Sequence, residues 1–302
     1  MSDDTGRIAI TGSSGLIGSH LRHLLDGSEW AISRVVRDRS DAGDGDVYWR
    51  PTAGEIDADA LEGVDAVVHL AGESIFGRWT DSKKESIRVS RAQGTTLLAE
   101  TLADLDDPPD VLFSASAVGY YGDRGEERLD ESADSGSGFL ADVCREWEAS
   151  TRAAADAGIR TVVGRFGLVL SSEGGALATM LPAFQFGLGG RLGSGEQYMS
   201  WIHIDDLVRG IEFAVECEQL EGPVNYTAPE PVKNSEFTDI LGGVLGRPTI
   251  LPVPEFAARL ALGEMADEAL LSGQRVLPDK LLDAGFEFQF EALRDALEHE
   301  VG

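Results

Sequence analysis

The 302-residue sequence predicts an α/β fold: a doubly wound parallel sheet with a smaller, mainly helical region on the substrate side and at the C-terminus. Three observations carry this. The first 170 residues alternate short β-branched runs with amphipathic helical stretches. A glycine-rich turn, "TGSSGLIG", directly follows the first apolar run and opens a helical pattern. At 42% hydrophobic residues, the chain can bury the core of one large domain and an appendage.

In chain order, "RIAIT" (7–11) reads as strand one and "LIGSHLRHLL" as the helix after it, ended near Gly27. "AISRVV" (31–36), "DVYW" (46–49) and "DAVVHLAG" (65–72) supply strands two to four. A long helix spans "KKESIRVSRAQGTTLLAETLADL", and "PDVLFSAS" makes strand five. After a helix containing Cys144 comes "IRTVVGRFGLVL" (159–170), strand six. "FGLGGRLGSGEQ" (186–197) is dense in glycine and reads as a loop that moves over a ligand. "YMSWIHIDDLVRGIEFAVE" turns from strand to helix with Asp205 or Asp206 as cap, and "GPVNYTAP" is a last strand. The tail from about 248 is helical, punctuated by proline, and placed beside the carboxyl edge of the sheet. These elements divide the chain into 1–174 and 198–228 as the dinucleotide-binding unit, and 175–197 and 229–302 as the smaller unit.

Gly12, Gly15 and Gly18 follow a strand and open a helix, so the turn is tight and the helix N-terminus offers unpaired N–H groups to a pyrophosphate. Ser14, Leu16 and Ile17 complete that loop, and Leu70, Ala71 and Gly72 end strand four close to where an adenine ribose would lie. The fold is therefore Rossmann-type. Arg37, at the end of strand two, suits the 2′-phosphate of NADP(H); an acidic residue there would select NAD(H). The competing reading pairs Arg37 with Asp38 or Asp41.

With 53 acidic against 25 basic residues, the net charge is −28, and only Lys83, Lys84, Lys233 and Lys280 are lysines. This composition suits a salt-rich cytoplasm, where molar salt screens repulsion within about 3 Å. It argues against nucleic acid, which needs clustered Lys and Arg. No apolar run of membrane-spanning length and no signal peptide is apparent, so the expected place is the cytoplasm, the expected partner a small molecule, and the expected state a monomer or homodimer. Two cysteines, Cys144 and Cys217, at no ligand spacing, support neither a disulfide framework nor a metal site.

The ordered motifs "TGSSGLIG", "DAVVHLAG", "SASAVGYYG", "RFGLVL" and "WIHIDD" resemble the extended short-chain dehydrogenase/reductases of the NAD-dependent epimerase/dehydratase superfamily. "ESIRVSRAQGTT", "FLADVCREWE", "GSGEQYMSWIHIDDLV" and "LALGEMADEALLSGQRVLPDKLL" are similar to an atypical sugar-nucleotide-epimerase-like subgroup sometimes labelled cell-division inhibitors. The resemblance implies a Ser, Tyr and Lys catalytic set with an Asn on the preceding helix. Here Ser116 matches the Ser, while Leu140, Cys144 and Arg91 stand where Tyr, Lys and Asn would be. Leu140, Cys144 and Glu148 still share a helix face, but neither of the first two supplies an acid or a fixed positive charge. Cys144 is a cofactor contact or a small residue in a helix seam.

The remaining candidates are Ser116 as a substrate hydrogen-bond donor, Tyr120 or Tyr121 as replacement acid, and Arg91 as an anion holder or electrostatic stand-in for Lys. Arg78 and Trp79 are candidates for the substrate mouth. His203 contacts substrate or organises the loop beneath it. The expectation is an NADP(H)-dependent oxidoreductase or epimerase-like enzyme on a small, sugar-linked or anionic substrate. The alternative is a non-catalytic NADP(H)-binding regulator.

Overall fold

A computed structural model describes residues 5–302. The sheet begins with β1 (Gly6–Thr11), which leads into α1 (Leu16–Leu25), β2 (Trp30–Val36), β3 (Val47–Arg50) and the short β4 (Glu55–Ile56). After β5 (Ala66–His69) come α2 (Asp81–Ala103), β6 (Val111–Ala117) and the short β7 (Arg128–Leu129). Next are α3 (Phe139–Ala149), α4 (Arg152–Asp156), β8 (Arg160–Phe166), β9 (Leu168–Leu170) and α5 (Gly175–Gln185). The chain continues through β10 (Tyr198–Met199), β11 (Trp201–His203), α6 (Ile204–Glu216), β12 (Gly222–Tyr226) and β13 (Val232–Lys233). It ends with α7 (Asn234–Val244), α8 (Glu255–Leu262), β14 (Arg275–Val276), α9 (Asp279–Asp283) and α10 (Leu293–Val301).

Eight strands form one sheet in the order β12-β8-β6-β5-β1-β2-β3-β4, parallel except for the antiparallel β3–β4 pair at one edge. Its central strands are buried on both faces, as a helix-covered parallel sheet requires. Successive residues serve opposite cores. Ile8, Ile10, Val68 and Phe113 face α1 and α6, whereas Ala9, Val67 and Leu112 face α2. β1 and β5 carry the two loops of the dinucleotide site on the same carboxyl edge, because they are neighbours in register (Thr11 opposite His69).

A further apolar core, in which Leu177, Phe184, Trp201, Phe237, Leu241 and Leu297 bring α5, β11, α7 and α10 together, draws on segments from both sides of the expected division, since Trp201 lies within 198–228. The stretch read as a single strand six breaks at Gly167. A side chain there would meet the Ser200 carbonyl at 2.5 Å, and beyond it β9 leaves the main sheet to pair with β11. The cap of α6 also differs from expectation. His203 is the N-cap, its Nδ1 accepting from the Asp205 N–H at 3.1 Å. Asp206 is instead fully buried and accepts from the backbone of Gln289 and Phe290, holding the C-terminal segment. Among the described residues, no helix is long and apolar enough to cross a membrane.

Candidate active site

The turn between β1 and α1 is built around backbone proximity. Gly12 has φ +67°, and a Cβ there would meet the Leu70 carbonyl carbon at 2.9 Å. At Gly18 a Cβ would lie 2.3 Å from the Gly12 oxygen, so this glycine lets α1 pack onto the turn. Gly15 differs. Its Cβ would touch only the Gly12 oxygen, at 3.3 Å, and is otherwise free of neighbours within 4 Å. Gly15 caps α1 with no side-chain bond and no acidic residue in the first turn, so the first N–H groups remain available to an anion. Ser14 and Gly15 are exposed, while Leu16 and Ile17 are half-buried against the core.

A buried hydrogen-bond chain that sequence reading missed ties this turn to the next loop. Thr11 Oγ1 accepts from the N–H groups of Leu70 (3.0 Å) and Ala71 (3.1 Å), so its proton goes to His69 Nδ1 at 2.7 Å. His69 Nε2 then donates to Thr95 Oγ1 on α2, at 2.9 Å. Burial lowers the imidazole pKa to about 4, which keeps it neutral. The chain fixes Leu70 to Gly72 against the glycine turn. A lone His inside "VVHLAG" carried no spacing signal that could have revealed it.

Arg37 stands exposed one residue beyond β2. Among the described residues it forms no ion pair, and Asp38 turns back to accept from Ser40 instead. The guanidinium stands at the edge where a 2′-phosphate would lie.

Beyond these loops lies a cavity of about 480 Å³. Its near wall is made by Arg91, Ala117, Val118, Gly119, Leu140 and Cys144. Arg91 is held by Nη1, which donates to the carbonyls of Glu73 (2.9 Å) and Ile87 (3.2 Å). Its guanidinium lies 4.9 Å from the Trp147 ring and about over Gly72, where a Cβ would be 3.6 Å away. Leu140 and Cys144 face the cavity as their helix spacing implied, and burial pushes the Cys144 thiol up to about 11, leaving it neutral.

Several expected residues lie elsewhere. Ser116 is buried, and its hydroxyl donates to Glu148 Oε1 at 2.8 Å. Side chains alternate along β6, so it is Ala117 that reaches the cavity. Glu148 is clasped by Arg165 through Nε and Nη2, both at 2.8 Å. Arg165 in turn donates to the Tyr121 hydroxyl (2.9 Å), which donates to Asn225 Oδ1 (2.8 Å). Tyr121 is fully buried in this network, its pKa raised to about 12 chiefly by burial, and Tyr120 stacks on the Arg165 guanidinium at 3.5 Å. Neither phenol lines the cavity, which corrects both as replacement acids. The tyrosine among the described cavity-lining residues is Tyr198, from β10. Its ring has the Arg275 guanidinium 5.0 Å from its centroid.

The mouth residues are corrected as well. Trp79 is buried, donates to the Ile75 carbonyl at 2.7 Å and packs edge-on against Phe139. Arg78 reaches the Leu260 carbonyl at 3.2 Å, pinning the loop to α8. His203 is 1% exposed; its Nε2 lies 3.1 Å from Glu300 and its ring packs at a tilt against Phe290, so it docks α10 rather than a substrate. The glycine-dense loop is also tied down. Leu192 bridges Val253, the Gly193 N–H reaches the Val253 carbonyl, and the Leu192 N–H reaches Asn234 Oδ1.

Fold and site together define a dinucleotide-binding α/β protein whose near cavity wall carries Leu140 and Cys144, which offer neither an acid nor a fixed positive charge. The model of the NAD dependent epimerase/dehydratase family matches residues 8–226, and a domain of unknown function (DUF1731) matches 253–300. The chain belongs to the NAD dependent epimerase/dehydratase family. It is 47% identical over 291 residues to an epimerase family protein of Mycobacterium tuberculosis, covering 96% of each chain. An epimerase family protein of Bacillus subtilis is 39% identical over 294 residues, again with 96% of each covered. The crystal structure of human epimerase family protein SDR39U1 with NADPH superposes with a TM-score of 0.89 at 33% identity, covering 97% of this chain and 98% of that one.

Proposed function

We propose that this protein binds NADP(H) at the Gly12–Gly18 turn and acts as an oxidoreductase or epimerase-like enzyme on a small molecule. The observation that carries the reading is the combination of an α1 N-terminus without a side-chain cap at Gly15 and an exposed Arg37 at the tip of β2 that forms no ion pair among the described residues. The residues fit the cofactor: the space beside Gly15 is open to a pyrophosphate, and the Thr11–His69–Thr95 chain holds the second loop in place. The NADPH in the human relative's crystal structure supports the same choice.

Bound there, the cofactor supplies a hydride donor or acceptor at its nicotinamide. The chain's own residues then set the surroundings. Leu140 and neutral Cys144 exclude water from the near wall, and Arg91 supplies its positive charge. Tyr198 is the one tyrosine among the described cavity-lining residues, and so the candidate for a phenolic proton donor. The test is fluorescence titration with NADPH and NADH in molar KCl. Wild type binds NADPH more tightly. Arg37→Ala loses about tenfold or more for NADPH, the order of a charge-assisted contact, and little for NADH. Equal losses for both would overturn the NADP(H) assignment.

A further inference from the structure

The cavity wall deepens the functional reading above, on which the following rests. A nucleotide sugar presents a diphosphate and many hydroxyls, and each buried hydroxyl left without a partner costs about 1–3 kcal/mol. Phosphate recognition at such a site calls for clustered Arg or Lys. Arg91 is the only Arg, Lys, Asp or Glu among the described residues lining this cavity. Most of the remaining wall is apolar, including Ile75, Leu168, Met180, Phe184, Phe237 and Leu270.

Three polar side chains of the wall are spent on the protein itself. Ser200 Oγ donates to the Gln274 carbonyl and accepts from the Val276 N–H. Asn234 Oδ1 accepts from Leu192, and its Nδ2 lies 3.3 Å from Met199 Sδ. Ser272 Oγ donates to the Glu268 carbonyl. A second, independent feature points the same way. The two segments bridged by Leu192 and Val253 carry exposed Phe186 (81%), Leu188 (63%), Ile250 (84%) and Leu251 (62%). Leu188 also belongs to the cavity wall, so the apolar surface runs continuously from outside to inside. On a chain of net charge −28, such a concentration of exposed apolar side chains is out of keeping with the solvated surface around it.

We propose that this cavity takes a carbonyl compound with a hydrocarbon body, its oxygen end toward Arg91, and does not take a nucleotide sugar. The hydrocarbon body lies along Met180, Phe184 and Leu188, and the entrance is the Phe186–Ile250 rim.

The test is binding to the NADPH-saturated protein in molar KCl, read by tryptophan emission, since Trp147 stands in the wall. The probes are 2-hexanone, 2-octanone and 2-decanone against UDP-glucose. The ketones are expected to bind with affinity rising up to about fourfold per added methylene, the order for full burial of each CH₂, and UDP-glucose to give no saturable signal. Met180→Glu, which sets a carboxylate in the wall, is expected to weaken 2-decanone at least tenfold. Ala183→Trp, on the exposed side of α5, is expected to flatten the chain-length gain with the fold intact. Saturable UDP-glucose binding, ketone affinity indifferent to chain length, or no ketone binding at all would overturn the proposal. Loss of NADPH binding with the ketone series preserved in cofactor-free protein would instead refute the cofactor reading and leave the cavity assignment standing.

Discussion

Removing Glu148 separates a structural role for Ser116 from a catalytic one. The carboxylate accepts three bonds at 2.8 Å, one from Ser116 and two from Arg165, and the Arg165 side chain is only 3% exposed. Glu148→Ala leaves that guanidinium with Tyr121 as its remaining hydrogen-bond partner in the protein. Breaking one side of a buried pair costs about 3–5 kcal/mol, and molar salt screens a buried pair far less than surface pairs. At about 2–4 °C per kcal/mol for a large domain, the melting temperature falls by roughly 6–20 °C. Ser116→Ala removes one of the three bonds and costs about 1.5–3 kcal/mol, the range for a hydrogen bond to a charged group. In the Ser116→Ala/Glu148→Ala double variant the serine adds little further, because its partner is already gone. The assay is thermal unfolding in 2 M KCl beside NADPH titration of each variant. A Glu148→Ala loss below about 1 kcal/mol would refute the network as a stabilising unit. If Ser116→Ala kept full stability and cofactor binding but abolished turnover, its hydroxyl would be working on substrate and not on Glu148.

Gly18→Ala drives a Cβ to within 2.3 Å of the Gly12 oxygen and destabilises the fold, whereas Gly15→Val should leave the melting temperature within a few degrees and abolish NADPH binding. Equal thermal losses in both would contradict the division between a packing glycine and a ligand-facing one. His69 is fully buried and has a pKa near 4 against 6.5 when free, so the unfolded state takes up its proton first as pH falls. Stability from this group is intact above pH 6.5 and declines between 6.5 and 4 by up to about 3 kcal/mol. Urea unfolding should show His69→Gln with a shallower acid limb, and an unchanged limb would place the titration elsewhere. Lowering ionic strength to 0.01 M extends the Debye length to about 30 Å and exposes the −28 net charge to its own repulsion. The melting temperature should fall on desalting, and a flat or rising one would remove the reading of adaptation to a salt-rich cytoplasm.

Local patterning was enough for the glycine turn and for seven of the eight strands of the large sheet; the two-residue β4, which pairs antiparallel with β3, was missed. β-Branched runs and glycine spacing are short-range signals, and β1, α1, β6 and α3 form where those signals lie. Helical period likewise placed Leu140 and Cys144 on one face, and the cavity wall receives both. What chain order could not carry was direction and partnership at a distance. Whether Ser116 or Ala117 reaches the cavity depends on which face of β6 meets Glu148 and Arg165, residues 32 and 49 positions further along. Tyr121 was drawn into the interior by Asn225, 104 residues away, and His203 was taken up by α10 near the chain's end. The cavity itself draws on segments from Ile75 to Gln274, so its apolar character exists in no single stretch. Burial and pairing are properties of the packed chain, and only the tertiary structure decided which polar residues were left to meet a ligand.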